Sequence, residues 1–179
     1  MSLSILGIGT ATPQHAITQE ACAELVQRMA PYDAHQREHL SRLYRLTGVG
    51  QRYSTVLEAP DGNGEGSHFY PPAGSWDDQG PSVAARMQRY ESDAPPLAET
   101  AARRALDEAH IAASEITHLV TVSCTGFMSP GVDIQLIETL GLPAYTERVH
   151  VGFMGCHGAL NGLRVAQGLA AARTDARVL

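Results

Sequence analysis

The stretch "ERVHVGFMGCHGALNGLRVAQGLAAA", residues 147–172, changes character at its middle. Its opening residues, through Gly155, read as a strand. From Gly158 to about Ala172, small and apolar residues recur at helical spacing. Cys156 stands where strand gives way to helix. A thiolate attacks where a thiol hardly does, and the partial positive charge at a helix N-terminus favours the thiolate. Gly155 and Gly158 flank Cys156, so the turn can be sharp and a substrate carbonyl can come close. The helix has a small face, Gly158, Ala159, Gly162, Ala166 and Gly168. Each interior glycine costs ~1 kcal/mol against alanine, so close packing must compensate and the helix is expected to be deeply buried.

Against the nucleophile stands a plainer reading: cysteine usually behaves as a small buried hydrophobe. On the residues alone the two stand level. Neighbours on a helix do not face each other, so His157 makes no dyad with Cys156. The hydrolase elbow needs glycine two residues before its nucleophile, and Met154 is there instead. Arg164, about two turns along the same face, is placed to lie along the surface or to pair with a carboxylate.

Further out, "ITHLVTVSC" (116–124) is a second buried strand, "TGFMSPG" breaks it, and "VDIQLIETLGL" reads as a short helix. Near the N-terminus "SILGIGTATP" (4–13) reads as a buried strand with a Thr-Pro stop. "TQEACAELVQRMA" (18–30) reads as a helix capped by Thr18, with Cys22 on its core stripe. Residues 33–48 form a second helix ending at Gly48. Residues 59–81 are a long Gly/Pro/Asp/Ser loop whose Phe69, Tyr70 and Trp76 should pack somewhere. Residues 81–111 hold two helical stretches separated by Pro95-Pro96. The alternation argues an α/β class with a mixed, largely parallel sheet. "ARVL" (176–179) starts another strand and stops, so the chain is expected to be a portion of a longer protein.

The bulk numbers exclude several classes. The chain has 179 residues and a net charge of −6, with no basic footprint for nucleic acid. No apolar run approaches the ~20 residues of a membrane span, and the first residues lack the basic and apolar regions of a secretory signal. A cytoplasmic protein is the expectation. Three cysteines, Cys22, Cys124 and Cys156, show no C-x-x-C or zinc spacing, so neither disulfide framework nor metal site is expected.

Several segments together resemble type III polyketide synthases, the chalcone and stilbene synthase family. "THLVTVSCTGFMSPGVDIQLIETLGLP" (117–143) is similar to that family's strand, active-site loop and helix, and "VGFMGCHGALNGLRVAQGLAAARTDARVL" (151–179) to the segment around its nucleophilic cysteine. "RLYRLTGVGQRYS" (42–54) and "GPSVAARMQRYESDAPPLAETAARRAL" (80–106) are similar to bacterial versions. The resemblance implies a thiolase-like fold built from two similar halves, with residues 1–179 as the N-terminal half, the C-terminal half absent, and a homodimer as the working form. It implies that Cys156 accepts a starter acyl group from acyl-CoA and carries it through decarboxylative condensation with malonyl-CoA. CoA thioesters are then substrates, and no separate cofactor is implied. Cys124 and Thr125 match cavity-lining positions. Where plant-type members carry a methionine that reaches the partner's cavity, Ser129 stands here, with Met128 the neighbouring candidate. Arg52 falls in a region that helps bind CoA phosphates, a task suited to a forked donor; a solvated surface arginine is the competing reading. The family's catalytic histidine and asparagine lie in the second half. Two other functions compete: a ketoacyl synthase III-like condensing enzyme, and a non-catalytic half-domain that binds CoA thioesters or a partner.

Overall fold

The computed structural model describes residues 3–57 and 68–179. The chain divides into two compact units, one Thr12–Ala85, the other Arg86–Leu179 together with the N-terminal segment up to Ala11.

In the unit Thr12–Ala85, two three-residue strands pair antiparallel, β1 (Ala16–Thr18) with β2 (Gln51–Tyr53), in the register Ile17 to Arg52. Neither is visible in the sequence pattern, because three residues show no period. Helix α1 (Gln19–Arg28) starts where expected: Thr18 Oγ1 accepts from the Ala21 N–H at 3.2 Å. Helix α2 (Ala34–Leu46) opens with a reciprocal capping box between Asp33 and Gln36, and the chain leaves it through Gly48 at a φ of 67°. Buried Gln19 ties the unit together. Its Nε2 donates to the Tyr44 carbonyl at 2.8 Å and to Thr47 Oγ1 at 2.7 Å, and its Oε1 accepts from Arg52 Nε at 2.7 Å. Cys22 is half-buried rather than a core residue: in α1 the fully buried positions are Gln19 and Ala23. Residues 58–67, which include the start of the long loop, lie outside the described residues. Of its remainder, Trp76 packs edge-on against Tyr32 at 5.4 Å, and Phe69 against Tyr70 at 5.1 Å.

The other unit is built on a parallel pair, β3 (His118–Ser123) and β4 (Glu147–Gly152), in register from His118–Glu147 to Ser123–Gly152. Val178 bridges to His118 in parallel, and the Leu179 N–H donates to the His118 carbonyl at 2.9 Å, so 176–179 does begin a third strand. One face of β3 meets helices α3 (Val83–Ala109) and α4 (Val132–Leu140). Ala102, Leu106, Ile116, Leu119, Leu136 and Leu140 form the buried centre there. The opposite face, Val120 and Val122, meets α5 (Gly158–Ala172). Buried His118 shares a 2.7 Å hydrogen bond with Thr117 Oγ1 and faces Glu147 at 3.6 Å, and Glu147 in turn pairs with Arg173 at 3.2 Å.

Three further expectations need correction. Pro95 and Pro96 do not divide residues 81–111 into separate helices; they lie inside one helix of 27 residues. The two hydrogen bonds they forfeit would have ended on the carbonyls of Glu91 and Ser92, both exposed residues whose carbonyls can turn to solvent, while Ala102 and Leu106 anchor the helix to the core. Residues 4–13 are not a buried strand: the segment joins no ladder, and Ile5, Leu6 and Ile8 are exposed. It lies instead along α3, where Gly7 and Gly9 leave no room for a Cβ against the Ala105 and Ala101 carbonyls. The Ile8 N–H donates to Glu108 at 2.8 Å and Arg104 donates to the Thr10 carbonyl at 2.6 Å. Helix α5 is not deeply buried. Only Gly158 and Gly162 are fully covered, whereas Leu160 and Leu163 are more than half exposed, at 54% and 51%. Its glycines bring one face onto Val122, and the opposite face stays open.

Candidate active site

Parallel pairing places the C-terminal ends of β3 and β4 side by side, with Ser123 opposite Gly152. Both following loops therefore leave from one end of the sheet, the end at which open α/β sheets bind ligands. The loop after β3 carries Cys124, Thr125 and Met128; the turn after β4 carries Cys156. A hydrogen bond of 2.8 Å between Thr121 Oγ1 and His150 Nδ1 locks the two strands two residues before that end.

Cys156 lies in a 3₁₀ turn, Gly155–His157, that runs directly into α5. Two left-handed residues shape the approach, Phe153 at a φ of 59° and Gly155 at 62°. Glycine accepts that conformation freely, whereas a bulky phenylalanine does not. The thiol is free and the residue exposed. No side chain caps the N-terminus of α5, and its first backbone N–H, that of Gly158, donates to the Gly155 carbonyl across the cysteine turn. Arg164 donates to Asn161 Oδ1 at 2.9 Å on the exposed side of α5, not to a carboxylate.

The loop after β3 is held from below. Gly126 lies so close to the Tyr90 ring of α3 that a Cβ there would clash, and the Phe127 N–H donates to Met87 Sδ at 3.4 Å. Cys124 and Thr125 are exposed, and Met128 packs on the core. A cis peptide joins Ser129 to Pro130 ahead of α4. The loop meets the cysteine turn through an aromatic pair, Phe127 and Phe153, with ring centroids 5.8 Å apart. Neither phenylalanine was marked by sequence reasoning, since a left-handed φ at phenylalanine has no sequence signature.

Arg52 belongs to the other unit. It is exposed, but its Nε donates to Gln19 and its guanidinium lies 5.3 Å from the Tyr44 ring centre. Burial, followed by the contact with the Cys22 thiol, pushes the Tyr44 hydroxyl above its ordinary value. Among the described residues no group of His, Cys, Asp and Glu is placed to hold a metal ion, and no helix is long and apolar enough to cross a membrane.

Residues 2–179 match the family model of chalcone and stilbene synthases, N-terminal domain. Type III polyketide synthase C of Arabidopsis thaliana is 32% identical over 98% of this chain and 44% of its own length. An alpha-pyrone synthesis polyketide synthase-like protein of Mycobacterium tuberculosis is 33% identical over 90% of this chain and 38% of its own. Among solved structures, PKS-I of the brown alga Ectocarpus siliculosus superposes with a TM-score of 0.75 at 34% identity, covering 94% of this chain and 44% of that one. The chain thus spans less than half the length of these relatives, and the plant and the bacterial sequence are equally near to it.

Proposed function

The chain belongs to the chalcone and stilbene synthase family, matching its N-terminal domain, and from that premise we propose that Cys156 is the acyl-accepting nucleophile of a type III polyketide synthase. The observation that carries this reading is its position: an exposed thiol in a 3₁₀ turn at the uncapped mouth of α5, on the ligand-binding end of a parallel sheet. The Cys156 thiolate attacks the thioester carbonyl of a starter acyl-CoA. The carbon–sulfur bond to CoA breaks, and CoA leaves as its thiol after taking up a proton. The acyl group then rests on Cys156 for extension by malonyl-CoA, whose decarboxylation supplies the attacking carbon.

Cys124, Thr125 and Met128, on the adjacent loop, line the cavity for the growing chain in this reading, and Arg52 binds CoA phosphate. The family resemblance assigns the carbonyl-polarising histidine and asparagine to the portion of its relatives that this chain does not span. Such donors aimed at a developing oxyanion are commonly the largest catalytic contribution, so condensation needs that portion. A homodimer in the cytoplasm is the proposed working state.

The test is release of CoA. Mixed with a fatty acyl-CoA, the chain should liberate a burst of free CoA proportional to its own concentration, and Cys156→Ala should abolish the burst while Cys22→Ala keeps it. A burst unaffected by Cys156→Ala removes the assignment.

A further inference from the structure

The approach to the Cys156 turn contains one feature that acyl transfer does not itself require. Phe153, three residues before the cysteine, holds a φ of 59°. A bulky side chain at positive φ is a true outlier, and such strain persists only where surrounding contacts over-determine it. Phe153 is 69% exposed, so burial does not impose the conformation. Its ring does meet one aromatic partner, Phe127, at 5.8 Å and an interplanar angle of 53°, within the range of a favourable aromatic contact. Phe127 is itself anchored: its N–H donates to Met87, and the preceding Gly126 is seated on the Tyr90 ring. A continuous chain of contacts therefore runs from α3 through the loop after β3 to the turn that carries the cysteine.

We infer that the Phe127–Phe153 ring pair is a positioning device that holds the turn in its left-handed conformation and so keeps Cys156 at the mouth of α5. The inference rests on Cys156 being the nucleophile, because only a reacting group gains from being held there. Without the pair, Phe153 relaxes to negative φ and the following turn swings the thiol away from the start of α5. Both phenylalanines act through Cys156 and touch no reacting atom.

Glycine and alanine at position 153 separate this role from ordinary packing. Glycine adopts positive φ without strain, so F153G needs no partner ring, whereas F153A keeps the strain and loses the restraint. The readout is the rate of iodoacetamide labelling of Cys156 in the intact chain, followed by peptide mass spectrometry, with Cys22 of the other unit as internal reference. Circular dichroism checks that each variant is folded. The expected order is wild type and F153G close together, with F153A and F127A slower by roughly two- to twelvefold, the ratio that corresponds to loss of an aromatic pair. F127Y, which keeps the ring, should restore the rate. F153A labelling at the wild-type rate, F153G no faster than F153A, or F127Y as slow as F127A would each overturn the inference. Labelling does not require acyl transfer. Absence of the CoA burst in wild type therefore refutes the nucleophile assignment, whereas loss of the glycine–alanine order refutes the ring pair.

Discussion

At Arg52 two roles make opposite demands. A phosphate-binding arginine must present a free guanidinium, but this one already donates to buried Gln19 and lies against Tyr44. Removing it leaves the Gln19 carbonyl oxygen without its 2.7 Å partner. An unsatisfied buried acceptor costs about 1–3 kcal/mol, and the exposure of Arg52 sets the expectation at the lower end. Arg52→Ala should therefore lower the unfolding free energy by about 1 kcal/mol in urea titration. Its remaining guanidinium nitrogens stay available to an anion, so weaker CoA binding by the same variant is expected as well. Unchanged stability would mean that Arg52 is only a solvated surface group. Cys156 shows the opposite pattern: the proposed role rests on its neighbours, two flanking glycines and a helix start without a side-chain cap, more than on any partner of its own side chain.

At the scale of elements, the glycines of α5 divide by what a Cβ would meet. At Gly162 it would lie 2.7 Å from Val122 Cγ2, a stiff β-branched side chain, whereas at Gly168 nothing lies within 4 Å. Gly168→Ala should stabilise the chain by roughly 0.5–1 kcal/mol, through helix propensity alone. Gly162→Ala gains the same propensity but overpacks the contact with β3 at a cost of about 1–3 kcal/mol, so its net effect should be destabilising. Opposite shifts of the thermal midpoint confirm that α5 packs on the sheet through Gly162; equal shifts would contradict it. Much at this scale was legible in the sequence. The cap at Thr18, the glycine stop at Gly48, and the strand–turn–helix order around Cys156 all rest on local chemistry that a single chain carries. What misled was non-local. Proline punctuation at 95–96 yielded to tertiary anchoring of α3. The apolar run 4–13 has strand composition, but strand formation needs a neighbouring edge, and its backbone groups at Ile8 and Thr10 engage side chains of α3 instead. The aromatic pair at 127 and 153 joins residues from two loops, a proximity that only the parallel register creates.

At the scale of the molecule, the unit that carries Cys156 leaves apolar surface open. A groove of about 1160 Å³ is lined by Leu3, Ile5, Leu6, Ile8, Leu163 and the start of the third strand at Val178. Contiguous apolar surface of this kind and an open sheet edge are both associated with association between chains. The chain, 19.1 kDa as a monomer, should sediment with an average mass that rises with concentration, and Leu163→Glu should reduce that rise. A constant monomer mass across the concentration range would contradict this expectation.

The central claim, that Cys156 carries the acyl group, is tested most directly by the mass of its peptide. After incubation with a fatty acyl-CoA, rapid acid quench and proteolysis, the peptide containing Cys156 should be heavier by the acyl group, and the mass increment should vanish on treatment with hydroxylamine, as a thioester requires. An unmodified Cys156 peptide, or an acyl group found on Cys124 instead, would contradict the account.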